Sequence, residues 1–243
     1  MTTSTEGLKE GTGQSYTRDR HTVVHEGEIL RHPLHVRLVH WSVAIFFVLS
    51  LLSGFAIYSP WTFKFLAPLF GGGATTRLLH PWFALGFVFF FALELAQWLG
   101  PMSWRPGDSE WLAHMREYIS NKEPVEREDV GFFNAGQKMY FWVIVVSAVL
   151  FLITGFVMWF PEIFGRILVS ISYVIHDIAA LMMLGSFIAH VYEGTAEQPG
   201  TFKAMTRGTV TRKWAWTHHP AWYRQATGRD PREDYEAARR KKT

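Results

Sequence analysis

The stretch YVIHDIAALMMLGSFIAHVY, residues 173–192, is apolar enough to lie in a lipid bilayer, yet it contains two histidines and an aspartate. A histidine inside a membrane segment is uncommon and usually marks a functional site. His176 and His190 lie 14 positions apart, so at about 100° per residue both side chains project from nearly the same face of a helix. Along the helix axis they are about 21 Å apart. A single metal ion cannot be shared across that distance, so this helix is predicted to serve two separate centres.

Four stretches without Lys or Arg organise the chain. Each is long enough to cross a hydrocarbon core of about 30 Å as a helix, and all 24 Lys and Arg residues lie outside them. The stretches are residues 40–58, 80–99, 139–160 and 171–190. We therefore predict an all-α membrane protein. Its four-transmembrane-helix bundle spans residues 37–192, between a polar N-terminal arm (1–36) and a basic tail (193–243).

The basic residues are distributed unevenly between the two sides of this bundle. The short connections 59–79 and 161–170 contain three Lys and Arg residues together, whereas the other 21 lie in the terminal segments and in the connection 100–138. Basic residues accumulate on the cytoplasmic side of membrane proteins. We therefore predict a multi-pass protein of the bacterial inner membrane with cytoplasmic N- and C-termini. Its basic flanks then face anionic lipid rather than nucleic acid.

Depth in the predicted bundle sorts four histidines into two pairs. His40 opens the first helix and His190 ends the fourth, so both lie near the cytoplasmic face. His80 opens the second helix and His176 lies early in the fourth, so both lie near the periplasmic face. Side chains from facing helices build cofactor sites in bundle interiors. Two stacked haems, each held by one histidine of the fourth helix and one of another helix, account for this pairing.

The absence of cysteine limits the type of redox centre. It excludes covalent c-type haem attachment and thiolate-ligated iron–sulfur clusters. The predicted cofactors are therefore two non-covalent b haems, with His40, His80, His176 and His190 as ligands of the haem iron. The remaining seven histidines are interpreted as solvated or structural: His21, His25, His32, His35, His114, His218 and His219.

Several motifs are more specific than membrane packing requires. They are RLVHW at 37–41, RLLHP at 77–81, DVGFFNAGQKMYFW at 129–142, TGFVMWFP at 154–161 and VTRKWAWTHHPAWYR at 210–224. Over most of its length the chain thereby resembles the gamma (cytochrome b) subunit of membrane-bound respiratory formate dehydrogenase. The resemblance implies that His80 and His176 ligate the periplasmic-side haem b, and that His40 and His190 ligate the cytoplasmic-side haem b.

The same resemblance implies a place in an electron-transfer complex. In that family a molybdenum or tungsten pterin alpha subunit oxidises formate on the periplasmic side, and an iron–sulfur beta subunit passes the electrons on. The cytochrome b subunit carries them across the membrane to a quinone near the cytoplasmic face, and it does not act on formate alone. The implied assembly is a trimer of such heterotrimers in the lipid bilayer.

Further site residues follow from the resemblance and from position in the chain. The motif FNAGQK places Asn134, Gly136 and Gln137 just before the third helix, where the family binds quinone, and amide groups can donate to a quinone carbonyl. Asn134 can instead cap the third helix, which is a common role for asparagine. Arg37 and Arg77 are the basic residues nearest in sequence to the two haem sites, and are candidate contacts to the haem propionates.

Two acidic residues and two other functions remain open. Glu94, late in the second helix, can feed protons toward the quinone or pair with a neighbour such as Gln97. Asp177 follows His176 and therefore points away from the haem. Within the redox class, the subunit can serve a hydrogenase or another periplasmic dehydrogenase. From a different class, the histidines and acids can form the path of a metal or proton transporter.

Overall fold

Helices dominate the chain. The computed structural model describes residues 23–25, 27–115 and 130–240. In chain order the α-helices are α1 (Leu34–Tyr58), α2 (Pro60–Leu66), α3 (Gly73–Trp98), α4 (Pro106–Ala113), α5 (Ala135–Trp159), α6 (Pro161–Tyr192), α7 (Thr201–Thr206), α8 (Arg212–His218), α9 (Pro220–Thr227) and α10 (Pro231–Arg240). A 3₁₀ turn over Ala67–Phe70 precedes α3, and a π-helical turn over Glu193–Glu197 follows α6.

Four of these helices, α1, α3, α5 and α6, are long and apolar enough to cross a membrane. The predicted all-α, four-helix architecture is therefore confirmed, but each of these helices begins earlier than its charge-free stretch. The difference is largest for α6, which begins at residue 161 instead of 171, and α1 begins at residue 34 instead of 40. A stretch without Lys or Arg marks the part that fits hydrocarbon, whereas a helix can continue into the headgroup region, where long basic side chains reach water.

The short connection predicted over residues 161–170 is instead the beginning of helix α6. Helix α5 ends at Trp159 and α6 begins at Pro161, a position that proline favours because it has no N–H to leave unpaired. Gly165 interrupts the first turns of α6 with φ 72°, a left-handed conformation that glycine adopts without steric cost. The chain thus reverses direction in a kinked helical segment rather than in an open loop.

The core of the bundle is apolar and draws on all four long helices. Its buried members are Val43 and Phe47 of α1, Phe87 and Phe91 of α3, Ala148 of α5 and Met183 of α6. Helix α1 packs along α3, and α5 packs along α6. The outer faces carry exposed large apolar side chains such as Ile45, Phe89, Ile153 and Ile178. Apolar patches of this extent on a surface indicate contact with lipid or with partner helices.

Segments from the two ends of the chain pack together at one end of the bundle. The strands β1 (Val23–His25), β2 (Glu28–Leu30) and β3 (Thr209–Thr211) form an antiparallel sheet in the order β1-β2-β3, with Ile29 opposite Val210. We call residues 23–33 and 198–240 the terminal layer. Its buried side chains include Ile29, Val210, Trp214 and Tyr223. The predicted arm and tail therefore share one small core within the described residues; residues 1–22 lie outside them.

The terminal layer covers the bundle end that carries the start of α1. The indole N–H of Trp41 donates to the carbonyl of Met205 at 3.0 Å. The guanidinium of Arg31 is buried, lies 3.9 Å from the centroid of the Phe132 ring and 4.4 Å from that of Trp222, and donates to the Phe132 carbonyl. Cation–π contacts of this kind strengthen when the cation is desolvated. They fix the layer to the segment that leads into α5.

Candidate functional site

His80 and His176 face each other at the bundle end remote from the terminal layer. His80 lies on α3 and His176 on α6, and their ring centroids are 6.4 Å apart with the planes inclined at 68°. Both side chains are half-buried. The structure thus brings together two histidines that are 96 residues apart in the chain.

Each of these imidazoles has a hydroxyl partner on a neighbouring helix. The Nδ1 atom of His80 lies 2.9 Å from Ser53 Oγ, and the Nδ1 atom of His176 lies 2.8 Å from Thr154 Oγ1. Both hydroxyls donate their single proton to carbonyls one helical turn earlier, at 2.7 and 2.6 Å. Each hydroxyl must then accept from Nδ1–H. This tautomer leaves Nε2 of both imidazoles with a lone pair, which is the form that ligates a metal.

A glycine follows each hydroxyl residue and leaves room for the imidazole. A Cβ on Gly54 would lie 3.2 Å from Cε1 of His80, and a Cβ on Gly155 would lie 3.8 Å from Cε1 of His176. The Ser-Gly pair of α1 and the Thr-Gly pair of α5 therefore hold the histidine of the adjacent helix in the same way. Sequence reasoning missed the two hydroxyls, although the repeated hydroxyl–glycine dipeptide was a signal for them.

His40 and His190 form the second pair, beside the terminal layer. Their ring centroids are 6.1 Å apart with the planes inclined at 59°. The Nδ1 atom of His40 lies 3.4 Å from a carboxylate oxygen of Glu94 on α3. His190 is exposed and stacks on Tyr140 of α5, with centroids 4.6 Å apart. Glu94 thus contacts a predicted ligand, and neither its partner nor Tyr140 was foreseen from the sequence.

The two pairs fit haem iron as the bound group. An imidazole nitrogen coordinates a first-row metal at about 2 Å, so two rings on opposite sides of one ion have centroids roughly 6 Å apart. The observed separations of 6.4 and 6.1 Å agree with that value. An imidazole can rotate about the bond from its nitrogen to a metal, so the observed angles of 68° and 59° between the ring planes would be compatible with such binding. Between the two pairs lies the apolar core around Phe47, Phe87 and Phe187.

The two arginines that are candidate contacts to the haem propionates each lie about one helical turn before a paired histidine. Arg37 precedes His40 on α1, and its Nη1 donates to the carbonyl of Thr206 at 2.7 Å. Arg77 precedes His80 on α3 and is exposed. Residues three apart on a helix are neighbours on its surface. The proposed propionate contacts of Arg37 and Arg77 stay a prediction.

The NAGQK segment forms the start of α5. Asn134 is buried and accepts from the backbone N–H of Gln137 at 2.9 Å, while the side-chain oxygen of Gln137 accepts from the N–H of Asn134 at 3.1 Å. This reciprocal arrangement is a capping box. A Cβ on Gly136 would lie 3.1 Å from the Trp111 ring, so the glycine allows that ring to pack closely. The capping role is present; the quinone role requires the amide N–H groups and stays a prediction.

The other histidines divide between the terminal layer and the surface. Burial lowers the pKa of His32 and His219 well below the usual value and lowers that of His218 to about 4. The Nδ1 of His219 donates to the Gly131 carbonyl at 2.8 Å. His35 and His114 are exposed. Of the remaining two, His21 lies outside the described residues, and only the backbone of His25 is described.

Known proteins resemble this chain over the region that carries both histidine pairs. Residues 31–208 match the family described as prokaryotic cytochrome b561. The nitrate-inducible formate dehydrogenase cytochrome b556(Fdn) subunit of Escherichia coli (strain K12) is 32% identical over 211 residues, which are 86% of this chain and 96% of that protein. The formate dehydrogenase cytochrome b556 subunit of Haemophilus influenzae is 30% identical over 209 residues, 84% of this chain and 85% of that protein. The cytochrome b556(fdo) subunit of E. coli K12 is 31% identical over 201 residues, 81% of this chain and 92% of that protein.

Proposed function

The chain belongs to the prokaryotic cytochrome b561 family, a family of membrane proteins that bind haem b, and we propose that it is the cytochrome b subunit of a formate dehydrogenase. Its role in this proposal is to carry electrons between a partner dehydrogenase and quinone. The observation that carries the proposal is the presence of two facing histidine pairs at opposite ends of one four-helix bundle. The likeness to named formate dehydrogenase subunits over most of the chain supports the choice of partner.

We propose that His80 and His176 hold one haem b and that His40 and His190 hold the other. When bound, each haem supplies an iron centre that accepts and releases one electron. The protein fixes the ligand rings through Ser53 and Thr154 at one site, and through Glu94 and Tyr140 at the other. The spacing on α6 places the two centres about 21 Å apart along the helix, which gives one centre to each leaflet.

The His80–His176 pair lies on the periplasmic side in this proposal. Support comes from the uneven distribution of Lys and Arg, because the connections 59–79 and 161–170 contain three of them, Lys64, Arg77 and Arg166, and the other 21 lie in other segments. Both termini and the terminal layer then lie in the cytoplasm. The periplasmic connections are too small to form a pterin or formate site, so an iron–sulfur subunit must deliver electrons to that face. We infer that this chain forms a heterotrimer with an iron–sulfur subunit and a molybdenum or tungsten pterin subunit. Three such heterotrimers then form the complete complex.

The quinone site belongs at the cytoplasmic end, around Asn134, Gly136 and Gln137. Support comes from their position at the start of α5, a few residues before Tyr140, whose ring stacks on His190. The capping box uses the side-chain oxygens of Asn134 and Gln137, and an amide nitrogen is the group that donates to a quinone carbonyl. Asn134→Asp keeps the capping oxygen and removes that donor. It should slow reoxidation of the haems by quinone, while a capping role alone predicts the wild-type rate.

The experiment that tests the function is reconstitution in liposomes with a quinone. The purified chain alone should not reduce quinone when formate is added, and should do so once the iron–sulfur and pterin subunits are restored. Formate-dependent reduction by this chain alone would contradict the proposal. If hydrogenase subunits restored activity and formate dehydrogenase subunits did not, the chain would serve a hydrogenase instead. A transporter of metal ions or protons would show no visible haem band on reduction.

A further inference from the structure

The two histidine pairs differ in the chemistry that faces their Nδ1 atoms. His80 and His176 both face neutral hydroxyls, at 2.9 and 2.8 Å. His40 faces a carboxylate oxygen of Glu94 at 3.4 Å. A carboxylate accepts from an imidazole N–H more strongly than a hydroxyl does, because the acceptor is charged. The His80–His176 pair therefore has a hydroxyl partner on each histidine, whereas the His40–His190 pair has a carboxylate partner on His40.

Glu94 occupies a position that is costly for an acid. It lies on α3 within a helix long and apolar enough to span a membrane, and its side chain is 17% exposed. Among the described residues, the side chain that it contacts is the imidazole of His40, which is 21% exposed. An acidic side chain in a membrane segment is expensive, and by default it has a functional reason. The contact with a predicted iron ligand supplies such a reason.

Helix α3 serves both ends of the bundle with one spacing. His80 and Glu94 are 14 positions apart, so they project from nearly the same face at a separation of about 21 Å. This is the spacing that His176 and His190 have on α6. The helix therefore contributes an iron ligand to one site and a partner of an iron ligand to the other.

We propose that Glu94 is a positioning residue that lowers the reduction potential of the haem held by His40 and His190; this inference rests on the proposed function. The carboxylate holds the Nδ1–H of His40 and directs its Nε2 toward the iron. Partners of this kind fix the tautomer of a ligating histidine and increase its basicity. The negative charge and the more basic ligand both stabilise the oxidised, more positive iron over the reduced one. Reduction of this haem is thereby made harder than with a neutral partner.

The test is a potentiometric titration of the intact complex, followed by visible absorbance, for wild type and Glu94→Gln. Glutamine keeps an acceptor for the imidazole N–H and removes the charge. We expect the midpoint potential of one haem to shift upward and that of the other to stay unchanged. Glu94→Asp, which keeps the charge, should shift it less. Thr154→Val should move only the other midpoint, which assigns the two haems to their sites.

Two haems with unchanged midpoints in Glu94→Gln would overturn the inference and leave the proposed function intact. A wild-type complex with fewer than two haems would overturn the proposed function instead. If Glu94→Gln does not accumulate with both haems, near-infrared magnetic circular dichroism of the oxidised wild type decides. The charge-transfer band of a haem would move when an imidazole that binds its iron becomes more anionic, so two resolved bands support the inference and one band contradicts it.

Discussion

The imidazole of His190 and the phenol ring of Tyr140 stack face to face, with centroids 4.6 Å apart and planes within 2° of parallel. Tyr140 lies on α5, and none of the four paired histidines lies on this helix. The third long helix therefore contributes to the His40–His190 site by orienting a ring that another helix provides. At the other end it does the same through Thr154, which bonds to His176.

Replacement of Tyr140 tests the importance of this stack. A stacked aromatic pair contributes about 0.5–1.5 kcal/mol, which corresponds to roughly a twofold to tenfold change in a binding constant. Tyr140→Leu should therefore weaken haem retention at the His40–His190 site by that factor, whereas Tyr140→Phe should retain it. The measurement is the haem content of each of the two variants after detergent washing. Equal retention in the two variants would show that the ring does not hold His190 in place.

Gly54 and Gly155 offer a matched pair of substitutions. A Cβ at position 54 would lie 3.2 Å from the His80 ring, closer than most contacts of a Cβ, whereas one at position 155 would lie 3.8 Å from the His176 ring, an ordinary contact. Gly54→Ala should displace His80 and reduce the amount of haem bound at the proposed His80–His176 site. Gly155→Ala should leave that amount unchanged. The reduced-minus-oxidised spectrum of each purified variant reports the outcome. Loss of haem in Gly155→Ala but not in Gly54→Ala would contradict the geometry.

A buried ion pair joins α4 to α5. The ammonium group of Lys138 lies 2.7 Å from a carboxylate oxygen of Asp108, and both side chains are buried. Removing one member of a buried pair leaves an uncompensated charge and costs about 3–5 kcal/mol. Asp108→Asn should therefore lower the thermal unfolding temperature clearly. Glu236→Gln breaks the exposed pair with Arg240 and should change it little. Similar unfolding temperatures for both variants would contradict this expectation.

Acid should loosen the terminal layer. Burial lowers the pKa of His219 well below its usual value and that of His218 to about 4. Below about pH 6.5 the unfolded chain binds these protons and the folded chain does not, so stability falls by up to about 1.4 kcal/mol per pH unit for each histidine. For His218 this loss runs between about pH 6.5 and pH 4. Above pH 6.5 the full stability is present.

Tryptophan fluorescence reports this transition, because the ring of Trp214 lies 5.0 Å from that of His219. We expect the emission to change between pH 6.5 and 4 in the wild type. His219→Asn keeps a short donor for the Gly131 carbonyl and cannot titrate in this range, so it should reduce the acid sensitivity. His35→Asn, at an exposed position, serves as the control. Identical pH profiles for His219→Asn and the wild type would show that His219 is not responsible.

The parts of the fold that depend on local pattern could be predicted from the sequence. Long apolar stretches identify membrane helices, and the 14-residue spacing of His176 and His190 places both on nearly the same face of α6. The helices begin earlier than the stretches without Lys or Arg, because such a stretch indicates the part of a helix that lies in hydrocarbon and not the whole helix. Around Gly165 the sequence predicts a short connection, whereas the structure has a kinked helical turn.

Contacts between distant segments could not be predicted in this way. The pairing of Ile29 with Val210 depends on how the bundle brings the two ends of the chain together. Likewise Ser53, Thr154 and Glu94 contact histidines 27, 22 and 54 residues away. Each lies on a different helix from its partner, so its role depends on the relative rotation of packed helices. The periodicity of one helix does not determine that rotation.

The number of haems bound by the purified chain tests the central claim most directly. It is measured as the pyridine haemochrome absorbance divided by the protein concentration from amino-acid analysis. We predict two haems b per chain, all released by acidified acetone because the sequence contains no cysteine to attach them. His80→Ala and His190→Ala should each retain one haem, with different spectra. A wild-type ratio of one haem per chain, or none, would contradict the assignment of the two histidine pairs.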